Sequence, residues 1–360
     1  MKNILPFGLL TCLIALQGKE IPRTQPEDAG MSGEKLKQAA TVVQGYIDDK
    51  KIAGAITVVA RKGEIVQFQT YGHMDIERKK PMQEDAIFRI FSMSKAIVTA
   101  GALILHEEGK FNPSDPVSQY LPQFKNLKVL GKDGKKKDSR NPMTVADLMR
   151  HTSGLSYGFT GNTEVEKAYR SRGIPGRAKN LDGFINNVTS LPLRFEPGDR
   201  WLYSVSTDVL GKLIEVWSGQ PLNVFLEKRI FQPLDMKDTG FHVPKDKLDR
   251  FTANYNSNYK GRLTRIDDPR NSKYGKPTTF FSGGGGLVST GRDYLRFLLM
   301  IQQGGQLHGT QLLKRDTVKL MTTNQLPKPL LPIQINQPPR KGVGFGYGFS
   351  IRMKETDWGS

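Results

Sequence analysis

With a single cysteine, Cys12, in 360 residues, the chain has no intrachain disulfide, no thiolate zinc site and no cysteine–histidine catalytic pair. Histidine is almost as scarce. The five are dispersed at positions 73, 106, 151, 242 and 308, with no His-Glu-x-x-His or comparable spacing, so metal-assisted hydrolysis has little support. A Gly-x-Ser-x-Gly nucleophile elbow is missing, and so is a Gly-x-x-x-x-Gly-Lys-Ser/Thr phosphate loop. Long apolar runs are missing too. The run over residues 4–16 falls short of the roughly 20 residues that a spanning helix needs. It follows Lys2 and ends at Gln17-Gly18-Lys19, the layout of a short secretory signal. Residues 1–18 are therefore expected to be a signal segment, and the protein to be exported to a periplasmic or extracellular space. Cys12 after Leu9-Leu10-Thr11 faintly resembles a lipoprotein cleavage box, but the apolar run continues past it, which argues against an anchor there.

Acidic residues are in deficit: 35 Asp and Glu face 53 Lys and Arg, a formal charge of +18. Such a balance suggests anionic partners. Most of the basic residues are scattered, however, and the one dense run, Lys132, Lys135, Lys136, Lys137 and Arg140, is interleaved with Gly131, Asp133, Gly134 and Asp138 as in a solvated loop. No zinc spacing, RNA-binding signature or aromatic-interleaved basic stripe accompanies it, so no nucleic-acid partner is expected. Proximity to cell-wall polymers or a membrane surface fits the charge better. An apolar fraction of 37% suffices for a sizeable core.

Ser32 and Glu34 open an amphipathic helix over residues 35–47, with Leu36, Ala39, Ala40, Val43 and Ile47 on one face. Residues 53–60 and 65–71, joined by Arg61-Lys62-Gly63-Glu64, read as a β-hairpin. Helical periodicity dominates the middle, at 94–108, 145–150, 181–188, 207–218 and 222–231, and returns at 293–303; residues 342–352 alternate like a strand. The order sheet, helices, sheet predicts an α+β fold: an antiparallel sheet flanked by helices, built from both ends of the chain, with an inserted helical lobe and a cleft between them. On this division residues 32–90 and 280–360 build the sheet lobe and residues 91–279 the helical lobe of one catalytic domain, 26–360.

The residues that can carry chemistry lie in Phe91-Ser92-Met93-Ser94-Lys95. In a helix beginning near Ser92, residues three apart share a face, so the Lys95 nitrogen can stand beside the Ser92 oxygen. The helix N-terminus adds free N–H groups and positive potential where an oxyanion would develop. Serine needs a neighbouring base to become nucleophilic, and Ser-x-x-Lys supplies one without histidine. The tetrapeptide by itself also fits a serine that merely caps a helix.

It has company. Met143 to Leu155, with His151-Thr152-Ser153-Gly154-Leu155 at its end, Phe195-Glu196-Pro197-Gly198, Tyr203-Ser204, the run from Pro233 to Phe241 and the segment from Gly283 to Thr290 follow in order. Together they resemble the β-lactamase-related serine hydrolases, which include class C β-lactamases, D-alanyl-D-alanine carboxypeptidases and the family VIII esterases. That resemblance implies a β-lactamase/transpeptidase-like fold, an acyl-enzyme on Ser92, deprotonation assisted by Lys95, a proton shuttle through Tyr203, and no cofactor. It also implies a structural turn at His151 and Ser153 rather than a serine–histidine pair. Gly283 to Gly286 reads as a tight backbone passage near the cleft.

Two departures shape the expected activity. Lactamases continue Tyr-x-Asn, whose amide contacts the substrate's acylamino group; here Val205 takes that place. This favours small or medium carboxylic esters, with β-lactams and peptides as the alternative and a non-catalytic ligand-binding protein as the reading of another class. The third motif of the family, a Lys-Thr-Gly, His-x-Gly or Trp-Gly-Gly strand, is expected after the 342–352 strand. The sequence ends at Asp357-Trp358-Gly359-Ser360 without a Lys-Thr-Gly, so a C-terminal truncation with an open sheet edge is expected.

Overall fold

Ser32 stands in extended backbone before α1 (Gly33–Asp48), and its Oγ accepts the Lys35 N–H at 3.2 Å. These details come from a computed structural model, which describes residues 20–131, 133–257, 261–334 and 341–353. The expected signal segment, Lys132 and the terminal Trp358-Gly359 lie outside the described residues. Leu36, Ala40, Val43 and Ile47 form the half-buried stripe of α1; Ala39, expected among them, is exposed because it sits at the edge of the i, i+4, i+7 row.

Strands β1 (Gly54–Arg61) and β2 (Glu64–Asp75) pair antiparallel across Lys62-Gly63, both at positive φ, as a two-residue hairpin turn requires. β3 (Lys80–Pro81) adds a third strand. After β4 (Ile87–Arg89) comes α2 (Ser94–Glu107), in which every residue from Ser94 to Leu105 is buried. A helix enclosed on all sides belongs at the centre of the molecule. The chain continues through β5 (Lys128–Leu130) and β6 (Lys136–Asp138), a short hairpin with an exposed second strand where the basic run had suggested only a loop. Then follow α3 (Val145–Met149), α4 (Glu164–Arg172), α5 (Leu181–Thr189), α6 (Ser206–Ser218) and α7 (Leu222–Leu226). α7 was expected to run to 231; instead it widens into a π turn over Glu227–Phe231, closed by the Gln232 N–H donating to the Glu227 carbonyl at 2.9 Å. The segment closes with the hairpin β7 (Asn254–Ser257) and β8 (Leu263–Asp267).

β9 (Val288–Thr290) returns to pair antiparallel with β4, so strands from distant parts of the chain meet immediately before α2. α8 (Gly291–Gln302), the two-residue strands β10 (Gln306–Leu307) and β11 (Thr310–Gln311), and α9 (Arg315–Thr322) complete the order up to 322. Periodicity did not reveal α4 or α9, whose short sequences are mostly polar. The expected strand at 342–352 is a hairpin, β12 (Val343–Phe345) and β13 (Ser350–Arg352), broken by Gly348 at φ +83°. Gly348 must lack a side chain, because a Cβ would press within 2.9 Å of Thr99 Oγ1 in α2. The architecture is thus mixed α and β, with small antiparallel sheets around a buried helical core in which α2 packs on α6 and α7.

Asp147 shows how the 143–155 motif serves the fold. Its carboxylate accepts the Thr144 hydroxyl at 2.6 Å and N–H at 3.0 Å, the Thr152 hydroxyl at 2.6 Å and the Arg150 guanidinium at 2.9 Å. Asp147→Ala leaves these donors unsatisfied in a nearly closed site. A loss of about 3 kcal/mol is expected, read as a lower urea midpoint.

Candidate active site

Residues Phe91–Met93 form one 3-10 turn that leads into α2, and Phe91 holds φ at +42°, a region that side-chain-bearing residues rarely occupy. The strain is held by bonds on both flanks. The Ile90 N–H donates to the Leu287 carbonyl at 3.1 Å, the Leu287 N–H donates to Ser94 Oγ at 3.2 Å, and the Tyr294 hydroxyl donates to the Met93 carbonyl at 3.2 Å. The turn presents the Ser92 side chain to solvent. Ser92 makes no capping bond to the turn or to α2, which removes the simple-cap reading.

Three residues on, Lys95 is only 4% exposed. Its nitrogen donates to the Gly284 carbonyl at 2.5 Å and to Ser92 Oγ at 3.3 Å. The third expected residue, Tyr203, meets the same nitrogen through its ring face, with Nζ 4.6 Å from the centroid. The structure therefore brings Ser92, Lys95 and Tyr203 together.

A second tyrosine was missed. Tyr157, two residues past the His151–Leu155 motif, places its ring centroid 5.3 Å from Lys95 Nζ and 5.6 Å from the Tyr203 ring. Burial, reinforced by the Asp208 carboxyl, holds the Tyr157 hydroxyl well above the usual phenol range, so it stays protonated. Asp208, in the first turn of α6, was missed as well. It is fully buried, accepts the Ser282 hydroxyl at 2.5 Å and the Gly284 N–H at 3.1 Å, and its Oδ2 has no hydrogen-bond partner. Burial raises its pKa, against which the Ser282 bond and the charge of Lys95 act.

His151 sits behind the Tyr203 ring at 4.8 Å between centroids, at φ +60°. Its Nδ1 accepts the Ser204 N–H at 3.3 Å. Burial, then the neighbouring Lys95 charge, pushes the imidazole well below its ordinary pKa, so it stays neutral. The Ser204 hydroxyl in turn meets Ser206, and Ser206 meets Ser153, each at 2.7 Å. This chain fixes the backbone that carries Tyr203 and gives His151 and Ser153 no contact with Ser92.

Ser92 opens on a cleft of ≈ 660 Å³ walled by Phe91, Tyr157, Phe241, Tyr274 and Phe280, with Gly284 to Gly286 along one side. A second chamber of ≈ 700 Å³ is lined by Trp201, Tyr203, Arg194 and Arg200. Phe159, 75% exposed and stacked on Tyr157, borders both. The glycine run is a close passage: a Cβ on Gly283 would overlap the Thr207 carbonyl, and one on Gly284 would overlap Asp208 Oδ2. Among the described residues no group of three or more His, Cys, Asp or Glu is placed to hold a metal ion.

Comparisons with known proteins identify the family and the fold. A family model described as Beta-lactamase matches residues 39–359. The chain is 33% identical over 314 residues to Protein Rv1367c of Mycobacterium tuberculosis, covering 86% of this chain and 77% of the relative. It is 32% identical over 270 residues to Esterase EstB of Burkholderia gladioli, covering 71% and 67%. The fold is similar to that of EstCE1, described as a hydrolase with promiscuous acyltransferase activity, with a TM-score of 0.74 and 27% identity over 88% of this chain and 82% of the other. The chain belongs to the β-lactamase family of serine hydrolases, on a fold shared with esterase and acyltransferase relatives.

Proposed function

We propose that the protein is an esterase-like acyl-serine hydrolase of small or medium carboxylic esters, with Ser92 as nucleophile. The observation that carries this is the pairing of an exposed serine, at the mouth of an aromatic-walled cleft, with a buried lysine nitrogen 3.3 Å from its oxygen. Ser92 Oγ attacks the ester carbonyl as its proton passes to the Lys95 nitrogen; that proton is handed on to the Tyr203 hydroxyl as the hydroxyl gives its own to the departing alkoxide, which leaves the acyl group on Ser92 and both relay residues as they began. Water, or a second alcohol, then takes the acyl group. The names of two relatives, an esterase and a hydrolase with acyltransferase activity, support this chemistry.

Val205 favours esters over β-lactams and peptides. The side chain is fully buried in the core and offers no polar group to an acylamino substituent. Turnover of a p-nitrophenyl short-chain ester is expected to exceed turnover of a chromogenic cephalosporin, and the reverse ranking would move the protein to the lactamase branch. Mass spectrometry after fluorophosphonate treatment is expected to find the adduct on Ser92. A protein that hydrolyses nothing and takes no adduct would instead be a binding protein.

Tyr203→Phe keeps the ring that Lys95 and His151 contact and removes only the hydroxyl. Turnover is expected to fall by about 10² or more while the thermal midpoint stays near that of the wild type. A collapse in stability with normal activity in the remaining folded fraction would make Tyr203 a core residue and end the shuttle assignment.

A further inference from the structure

Asp208 has contacts that the acyl-serine reading leaves without a task. An acidic side chain in the first turn of a helix ordinarily serves that helix, through its N–H groups or its dipole. Here the hydrogen bonds that the Asp208 carboxylate accepts from other residues come from Ser282 and Gly284, 74 and 76 positions away in sequence. Gly284 is therefore held twice. Its N–H donates to Asp208 Oδ1 at 3.1 Å, and its carbonyl accepts the Lys95 nitrogen at 2.5 Å. The same nitrogen is the one 3.3 Å from Ser92 Oγ. A continuous path of bonds runs from α6 through a single glycine residue to the head of α2.

The path is tightly enclosed. A Cβ on Gly284 would overlap Asp208 Oδ2 and stand 2.8 Å from the Tyr157 hydroxyl. The charged and titratable groups that face the Asp208 carboxyl are Lys95 from α2 and Tyr157 from the loop after α3, with Tyr203 beside them. Lys95 lies within reach of two ring faces and two oxygens, and only the oxygens are directional. Of these, the Gly284 carbonyl is the fixed one, since Ser92 is exposed at the end of a strained turn.

We propose that Asp208 is a positioning residue for acylation: by holding the Gly284 N–H, it fixes the carbonyl that aims the Lys95 nitrogen at Ser92. This rests on the acyl-serine reading of the same site. Without the carboxyl, the Gly284 N–H and the Ser282 hydroxyl both lose their acceptor. The Gly283–Gly284 peptide can then turn, and so can the next peptide, which carries the Gly284 carbonyl and whose Gly285 N–H rests on the Ser282 carbonyl at 3.4 Å, so the lysine loses its fixed anchor. A displacement of about 1 Å in a reacting group costs on the order of 10²-fold in rate.

The test uses the 360-residue chain and measures both the rate and the final extent of Ser92 labelling by a fluorophosphonate, alongside kcat and KM for a p-nitrophenyl ester. Asp208→Ala is expected to label to the same final extent as the wild type but about 10²-fold more slowly, with a similar fall in kcat and KM within about threefold. Asp208→Asn, whose amide oxygen still accepts from Gly284 and Ser282, is expected to recover at least about tenfold of that loss. Labelling of Asp208→Ala at the wild-type rate would overturn the proposal. So would a lower labelled fraction reacting at the normal rate, the mark of a purely structural residue, or an Asp208→Asn no faster than Asp208→Ala. Should Asp208→Ala fail to fold, Ser282→Ala removes one of the two supports and is expected to slow labelling about tenfold; an unchanged rate there overturns the proposal equally. A wild-type protein that takes no label on Ser92 overturns the acyl-serine reading itself, and this inference with it.

Discussion

Ser92→Ala is expected to abolish ester turnover and fluorophosphonate labelling while leaving the fold intact. The loss should be on the order of 10⁶-fold, the effect of removing the nucleophile from a serine hydrolase whose members act as a unit. The fold is expected to tolerate the change because Ser92 is exposed, caps no helix and, among the described residues, has one side-chain hydrogen bond, from Lys95 at 3.3 Å. Surface substitutions of that kind stay within about 0.5 kcal/mol. The strained Phe91 backbone is held by bonds from Ile90, Leu287 and Tyr294 that do not involve the Ser92 hydroxyl, so the turn should survive. Chemical denaturation checks the second half of the expectation and ester kinetics the first. Ordinary turnover by a folded Ser92→Ala protein would remove Ser92 as nucleophile and with it the proposed mechanism.

The second large effect is expected at Lys95, where two substitutions separate its possible contributions. Lys95→Met keeps the length of the side chain, fits a position that is 4% exposed, and removes the base; acylation should slow by about 10² to 10⁴. Lys95→Arg keeps a cation and its donors but cannot accept a proton, since guanidinium stays charged at all accessible pH. If Lys95 acts as a base, both variants lose acylation to a similar degree. If its positive charge is what counts, Lys95→Arg retains far more activity than Lys95→Met. Stopped-flow release of p-nitrophenol reads the difference directly. A twofold effect in both would mark Lys95 as a structural lysine tied to the Gly284 carbonyl.

Some of this protein was legible without coordinates because it is encoded locally. The Ser92–Lys95 spacing works through one turn of helix, and any helix beginning there sets the two side chains on one face. α1, α2, α5, α6 and α8 announced themselves by apolar periodicity, and the first hairpin by its Lys62-Gly63 turn. The polar helices α4 and α9 did not, because in such short, mostly polar sequences the apolar residues are too few to make a row. At 342–352 the alternation was real but said nothing about the break at Gly348, which follows from a glycine that must pass α2 without a side chain.

Local sequence sufficed for the class of fold and for the candidate pair, Ser92 and Lys95, because both follow from spacings within a few residues and from motifs in a fixed order. The tertiary structure alone decided what surrounds that pair. Asp208 looks like an ordinary helix-start acid and Tyr157 like an ordinary core tyrosine until folding brings α6, the loop after α3 and the 282–286 segment against Lys95. The contacts between Asp208 and the glycine run span more than 70 residues, and no periodicity or short motif encodes such a distance. They arise because α2 is buried on every side: the groups that satisfy its buried lysine nitrogen have to come from whichever segments pack against it, and packing is a property of the folded chain.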